Sequence, residues 1–438
     1  MEKNKEKKEE LYPNSLLASA SYTIYATIKE KLPYSLRKSL KRAYDLLKKN
    51  DQTKGVNPKS LASIQRELAK KQKKTRLVIV LNWLAVGGAE SMMLTLLSGL
   101  KNAYDIIIVA TSQKERNEWA NQFMQITKKI YILSDIARQE KFFDYFSVII
   151  QSSKPDVVLI SNSEKGYDWL KETKKEKRIN TIDILHNNSS EGFTNKAADC
   201  DSLLYAHVVV GEKIKETLIK RFSINEDKIK VIPNGINTTR FKPITRSKRE
   251  AVKKKLCVPP RKKIVTFIGR FSGEKRPLRF VRVAHRLLKK RDDLHFLMVG
   301  DGHERKIVEW YIDYFKLADD ITLCGFQDNI EDYLSISDCL LATSYLEGFF
   351  ITVLEAIASG VCVVSPDVGE VTKMIQEGMN GCIVKSDKLN DYAEKVEFCL
   401  DHLSNKKEEI RNTFDPMFSA ESMISSYDKL FSSLVKKT

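Results

Sequence analysis

Cys339-Leu340-Leu341-Ala342-Thr343 is a short apolar run. Ser344-Tyr345-Leu346-Glu347-Gly348-Phe349-Phe350 follows as a loop, and Ile351-Thr352-Val353-Leu354-Glu355-Ala356-Ile357 follows as a helical stretch. The order predicts a buried strand, a turn at Gly348 and Phe349, and a helix, the half-unit of a parallel α/β sheet. Ligands of open α/β sheets bind outside the carboxyl ends of the strands. Glu347 falls at such an end, and Glu355 is expected about two turns into the helix. Free backbone N–H groups at the helix start favour an anion. The competing reading makes Glu347 an acid favoured by the helix dipole and Glu355 a solvated side chain.

Working outward, the same alternation repeats. Strand-like runs at 264–269, 295–300, 321–325, 339–343, 362–365 and 381–384 are separated by helical segments. An earlier series occupies 77–84, 105–111, 129–133, 156–162, 181–186 and 207–211, closed by the turn Pro233-Asn234-Gly235. A charged stretch, 246–263, joins the two as a linker with one short helix. The expectation is two consecutive parallel-sheet α/β domains with a hinge.

Gly269-Arg270-Phe271-Ser272-Gly273-Glu274-Lys275 follows another strand end. Arg offers a bidentate fork and Lys a point charge, and together they neutralise a diphosphate where a metal ion would otherwise serve. Either cation taken alone reads as an ordinary basic loop. With a diphosphate held there, one of the two carboxylates, Glu347 or Glu355, can meet a sugar while the other meets a ribose. Gly87-Gly88-Ala89-Glu90 follows the first strand and opens a helix, where glycines admit close approach of a phosphate or sugar. His186 ends the 181–186 run, ahead of Asn187-Asn188-Ser189-Ser190; a structural histidine is the competing reading.

In this order, Gly87-Gly88-Ala89-Glu90, Pro233-Asn234-Gly235-Ile236, Gly269-Arg270 with Lys275, Val299-Gly300-Asp301-Gly302, Glu347 with Glu355, and Asn380-Gly381 resemble the retaining GT-B glycosyltransferases of family 4, the glycosyl transferases of group 1. The resemblance runs from about Leu77 to Leu434. It implies two Rossmann-like domains facing across a cleft: 76–240 on the acceptor side, 241–415 for the nucleotide sugar, and a helix over 416–438 returning to the first domain, behind a basic extension over 1–75. It implies that Arg270, Lys275, Gly87 and Gly88 attend the donor diphosphate. Glu347 and His186 would act at the reacting centre, Phe349, Phe350 and Ile351 would contact the donor, and Glu355 would hold the ribose. The implied reaction retains anomeric configuration and needs no metal or cofactor beyond a UDP- or GDP-sugar co-substrate. The implied acceptor is a lipid-linked saccharide or a bacterial surface polysaccharide such as lipopolysaccharide or capsule. Two positions depart from the pattern. Phe350 stands where a small residue or proline is common, and Arg276 where glycine is common. Two rival functions share these motifs: a hydrolase or epimerase of the nucleotide sugar, and a non-catalytic nucleotide-sugar-binding subunit.

The chain has 438 residues and a net charge of +17. The first 76 residues hold 20 Lys and Arg against 8 Asp and Glu, so the basicity belongs to the extension. Within it, 33–49 places Leu36, Leu40, Ala43, Tyr44, Leu46 and Leu47 on one helical face, with Arg37, Lys38, Lys41, Arg42, Lys48 and Lys49 opposite. Such a helix suits an anionic membrane surface, or it docks on the first domain or another subunit. Lys70 to Arg76 reads as a solvated linker. No nucleic-acid module accompanies the charge, which argues against nucleic acid as a partner. The N-terminus has no apolar segment of a secretory signal, and no run reaches the ~18 apolar residues of a membrane span. Seven cysteines without a CxxC pair argue against zinc and for a reducing cytoplasm; the basic helix and the resemblance together put the expected work at the inner membrane face. Asp199-Cys200-Asp201 matches the DxD pattern of metal-dependent transferases, a three-residue match that chance supplies often.

Overall fold

The structure is a computed structural model that describes residues 61–70, 73–112, 117–173, 179–187 and 193–435. The amphipathic stretch 33–49 and Asn188 to Ser190 lie outside the described residues. The first sheet has seven strands: β1 Arg76–Leu81, β2 Asp105–Ala110, β3 Ile130–Ile132, β4 Val157–Ser161, β5 Asn180–Leu185, β6 Ala206–Val209 and β7 Ile229–Val231. They run parallel in the order β3-β2-β1-β4-β5-β6-β7. The second has β8 Lys263–Ile268, β9 Leu294–Val299, β10 Ile321–Gly325, β11 Cys339–Leu341, β12 Cys362–Pro366 and β13 Gly381–Val384, parallel in the order β10-β9-β8-β11-β12-β13.

The strand sequences explain this arrangement. β1 is Arg-Leu-Val-Ile-Val-Leu with every residue buried, and Val78 pairs with Ile107 on one side and Val158 on the other. β-branched runs without alternation suit strands covered on both faces by helices. In each sheet the order reverses once, between β1 and β4 and between β8 and β11. Those two switch points open crevices at the carboxyl ends.

The two-sheet architecture anticipated from the sequence is the one observed. One strand escaped the pattern. β7 is only Ile-Lys-Val, with Lys230 exposed, too short for either period to register. The reading of 70–76 as a solvated linker is corrected at Arg76, which is buried. Its guanidinium meets Asp105 at 2.7 Å and donates to the Leu68 carbonyl at 2.9 Å and the Lys70 carbonyl at 3.1 Å. Arg76 thereby closes the end of helix α1, Leu61–Leu68, whose Ile64 and Leu68 are buried and which packs on helix α2, Phe142–Ser153. A carboxylate partner and helix-end carbonyls make burial of that charge tolerable.

The chain returns between the sheets once more at its end. Gly235 has no room for a side chain, since a Cβ there would strike Ser419 and lie 2.9 Å from Ala420 Cα. Ile236 bridges Ser419, and Ala420 N–H donates to the Ile236 carbonyl at 2.8 Å. Helix α3, Ala420–Val435, then packs on the helix Gly88–Leu100 behind the first sheet, where Tyr104 Oη donates to Asp428 at 2.6 Å.

Candidate active site

Loops from both sheets meet at the carboxyl ends beside the switch points. From β8 comes Gly269 to Arg276. Its backbone is held flat against the loop after β9: Phe271 N–H donates to the Asp301 carbonyl at 2.9 Å, and Glu304 N–H to the Phe271 carbonyl at 3.1 Å. A Cβ on Gly302 would lie 2.8 Å from Phe271 N, so glycine is what lets these loops stack. Thr343 Oγ1, beyond β11, donates to the Lys275 carbonyl at 2.8 Å and ties the two second-sheet loops together.

This packing brings Lys275 and Glu347 into contact. Lys275 Nζ lies 2.5 Å from Glu347 Oε1, with both side chains mostly buried. The Phe350 ring sits beneath the same ammonium, 5.0 Å from it, and is itself buried. Phe350, the departure from the small residue common at this position, therefore forms a cation–π floor under Lys275. Arg270 points the other way and donates to the Val86 carbonyl of the first domain at 3.0 Å, just before Gly87 and Gly88. Gly87 is the N-cap of the helix Gly88–Leu100. Gly88 faces Ile351 across the cleft, with 3.7 Å between a Cβ position and Ile351 Cδ1. Glu90, in the first turn, has its carboxyl raised by burial, offset in part by its own backbone N–H, Trp83 and Arg270.

Opposite Glu347 stands His186, at the carboxyl end of β5. Its Nε2 lies 2.9 Å from Ser161 Oγ, a hydrogen bond that fixes the ring. Its Nδ1 is buried without a hydrogen-bond partner among the described residues. Burial lowers its pKa to about 4, so the imidazole is neutral near pH 7. Gly348 lies directly against the His186 backbone, with Asn187 Cα 2.7 Å from where a Cβ would stand.

Glu355 corrects both the expected depth and the solvated alternative. The helix begins at Ile351, which places Glu355 one turn in, and the residue is buried. Burial, reinforced by the Glu331 carboxylate and opposed by Arg240, raises its pKa to about 7. Phe349 and Ile351 bracket the helix start, where Ile351 N–H folds back to the Phe349 carbonyl at 3.0 Å. Beside these residues a cleft of about 220 Å³ is lined by Tyr345, Leu346, Glu347 and Gly348, with Lys213 and Ile214 on the opposite wall.

One residue that matters here, Glu370, carried no sequence signal. Glu370, from the second domain, is buried and accepts Lys213 N–H at 3.0 Å, capping a first-domain helix whose own N-cap, Gly211, has no side chain. Arg276 adopts a left-handed backbone, φ 50°, held by Asp387 at 2.8 Å and by the Tyr345 ring at 5.0 Å. Asp199 and Asp201 are each taken up by partners of their own. Asp199 pairs with Lys171, and Asp201 with His207 and Lys228.

Comparison with known proteins agrees with this geometry. Residues 86–240 match Glycosyltransferase Family 4, and 248–413 match Glycosyl transferases group 1. The Escherichia coli UDP-Gal:alpha-D-GlcNAc-diphosphoundecaprenol alpha-1,3-galactosyltransferase is 29% identical over 195 residues, covering 44% of this chain and 47% of that one. The Bacillus anthracis N-acetyl-alpha-D-glucosaminyl L-malate synthase is 27% identical over 183 residues, 41% of this chain and 48% of that protein. The chain thus spans less than half the length of these curated relatives. Among solved structures, a Rickettsia africae glycosyltransferase superposes with TM-score 0.70 at 22% identity, over 84% of this chain and all of that one. Anabaena HepE in complex with UDP-glucose superposes with TM-score 0.71 at 15% identity, over 82% of this chain and 99% of that one. At those identities the likeness establishes the fold.

Proposed function

The chain belongs to the group 1, family 4 glycosyltransferases of GT-B fold, and on that premise we propose that it transfers a sugar from a nucleotide diphosphate sugar, with retained anomeric configuration, to a lipid-linked saccharide or surface polysaccharide. The observation that carries this reading is the Lys275–Glu347 pair, set at a helix start and facing His186 across Gly348.

The Lys275 ammonium neutralises Glu347. An entering diphosphate competes for that ammonium. Once Lys275 turns to the phosphates, Glu347 is free to accept hydrogen bonds from donor-sugar hydroxyls. Arg270, now on a backbone carbonyl, is within the same loop and adds a second cation. These charges and the backbone amides of Phe349 and Phe350 stabilise the negative charge that grows on the leaving diphosphate. With two cations and a helix start in place, this chemistry needs no metal ion. The unpartnered Nδ1 of His186 offers a neutral site to a sugar hydroxyl at the reacting carbon, and Glu355 meets the ribose. The inner membrane face as a place of work rests on the acceptor class and on the basic extension. The named acceptor of the Escherichia coli relative is itself diphosphoundecaprenol-linked, which supports a lipid-linked acceptor.

A thermal-shift screen against UDP-, GDP- and ADP-sugars identifies the donor, because ligand bound only to the native state raises the midpoint. Product analysis with that donor then decides the reaction. Sugar appearing only on an added acceptor supports transfer; free sugar released at the same rate without acceptor contradicts it.

A further inference from the structure

Four of the seven cysteines, widely spaced in sequence, meet beneath the second sheet. Cys339 and Cys362 are register partners that open β11 and β12, so their side chains leave the sheet on one face. Cys382 pairs with Val364, two residues beyond Cys362, and shares that face. Cys399 descends onto it from the π-turn Cys399–Leu403, which follows the helix Leu389–Phe398. The sulfurs of Cys339, Cys362 and Cys399 all lie within 4.8 Å of one another, and Cys399 Sγ is 4.0 Å from Cys382 Sγ. All four residues are at most 1% exposed.

One buried cysteine behaves as a small hydrophobe. Three converging sulfurs with a fourth 4.0 Å from one of them make a different object, the donor set of a closed thiolate site. A tetrahedral zinc site with bonds of about 2.3 Å needs sulfurs ~3.8 Å apart, and Cys339, Cys362 and Cys399 reach that by contracting about 1 Å or less, with Cys382 swinging in from beside Cys399. A divalent ion on four thiolates carries two net negative charges, and the Lys407 ammonium beside it offsets one of them. Lys407 Nζ donates to the Ser337 carbonyl at 2.9 Å, next to Asp338, whose carbonyl accepts from Cys362 Sγ at 3.0 Å. The lack of a CxxC pair hid this set, because its members come from three strands and a π-turn rather than from one knuckle.

We propose that Cys339, Cys362 and Cys399, with Cys382 as the fourth donor, bind a thiophilic divalent metal ion, zinc(II) or its chemical equivalent, that staples β11, β12 and β13 to the helix covering them. Each ligating thiol releases its proton to solvent and no electrons move. Cys339 and Cys362 begin their strands, at the end opposite Glu347, so the ion is structural rather than part of the transfer chemistry. With no exposed sulfur, the ion enters as the domain folds.

The test uses the full chain, produced in zinc-supplemented medium and desalted, with metal counted by plasma mass spectrometry. About one zinc per chain is expected for the wild type and for Cys257→Ser, which alters an exposed cysteine outside the cluster, falling to a small fraction in Cys362→Ser/Cys399→Ser. Production in cobalt medium should give sulfur-to-cobalt charge-transfer bands and the visible bands of tetrahedral cobalt, a readout that needs only the wild-type chain. A wild type with less than roughly a tenth of an equivalent of zinc and no cobalt–thiolate bands overturns the proposal. Cluster cysteines recovered as disulfides from reduced preparations overturn it as well.

Discussion

Gly348 and His186 touch backbone to backbone: a Cβ on Gly348 would overlap the His186 carbonyl and stand 2.7 Å from Asn187 Cα. This is where the two domains approach without an intervening side chain, between Glu347 and the histidine it faces.

Gly348→Ala should therefore push the Glu347 loop and His186 apart. A displacement of about 1 Å at reacting groups costs roughly 10²-fold in rate. The expected result is a drop in kcat/KM of that order with little change in thermal midpoint, because the clash lies between loops and outside the cores. Steady-state kinetics and a melting curve on the same preparation check it. Activity within about twofold of wild type would mean that the cleft works in a more open form.

Glu347→Gln keeps the shape of the side chain and removes its charge. The account expects an intact fold, a loss of about 10²–10³-fold in kcat and a smaller change in donor KM. A rise in KM alone would reduce Glu347 to a binding contact.

Glu355 and His186 set opposite pH slopes. The Glu355 pKa rises from 4.5 to about 7 on folding, so its contribution to stability is present below 4.5 and is lost as pH rises through about 7. The His186 pKa falls from 6.5 to about 4, so its contribution is present above 6.5 and is lost as pH falls through about 4. Between 4.5 and 6.5 the two oppose each other. Glu355→Gln removes one slope and exposes the other. Its thermal midpoint, relative to wild type, should be higher at pH 7 than at pH 5. An offset that is the same at both values would show that Glu355 titrates normally.

Arg276 holds a left-handed conformation that costs a non-glycine residue ~1–2 kcal/mol. Its ion pair with the exposed Asp387 returns at most about 1 kcal/mol. Arg276→Gly should thus be more stable than Arg276→Ala by about 1 kcal/mol, both variants having lost the ion pair. Denaturant unfolding of the two measures it, and equal stabilities would place the strain elsewhere.

Much of this was legible in the sequence because parallel strands covered on both faces are continuous apolar runs; β1, β2 and β4 are nearly all Val, Ile and Leu. The motif loops were legible because each follows such a run. β7 was not, being three residues long. The burial of Glu355, the capping of a first-domain helix by Glu370, the contact of Gly348 with His186 and the four-cysteine cluster join residues from separate elements. Local spacing carries no record of them. The burial of Arg76 is hidden for the same reason: Asp105, which permits it, lies on the next strand. Arg276 stands where glycine is common, and its positive φ is the physical reason that glycine suits the position.

The central claim is that Lys275 gives up Glu347 for the diphosphate of a nucleotide sugar. Calorimetric titration of the nucleoside diphosphate from the best donor into wild type and Lys275→Ala tests it most directly. The account predicts saturable binding to the wild type, weakened at least about tenfold in the variant. Equal affinity in the two proteins, or no binding of UDP, GDP or ADP to the wild type, would contradict it.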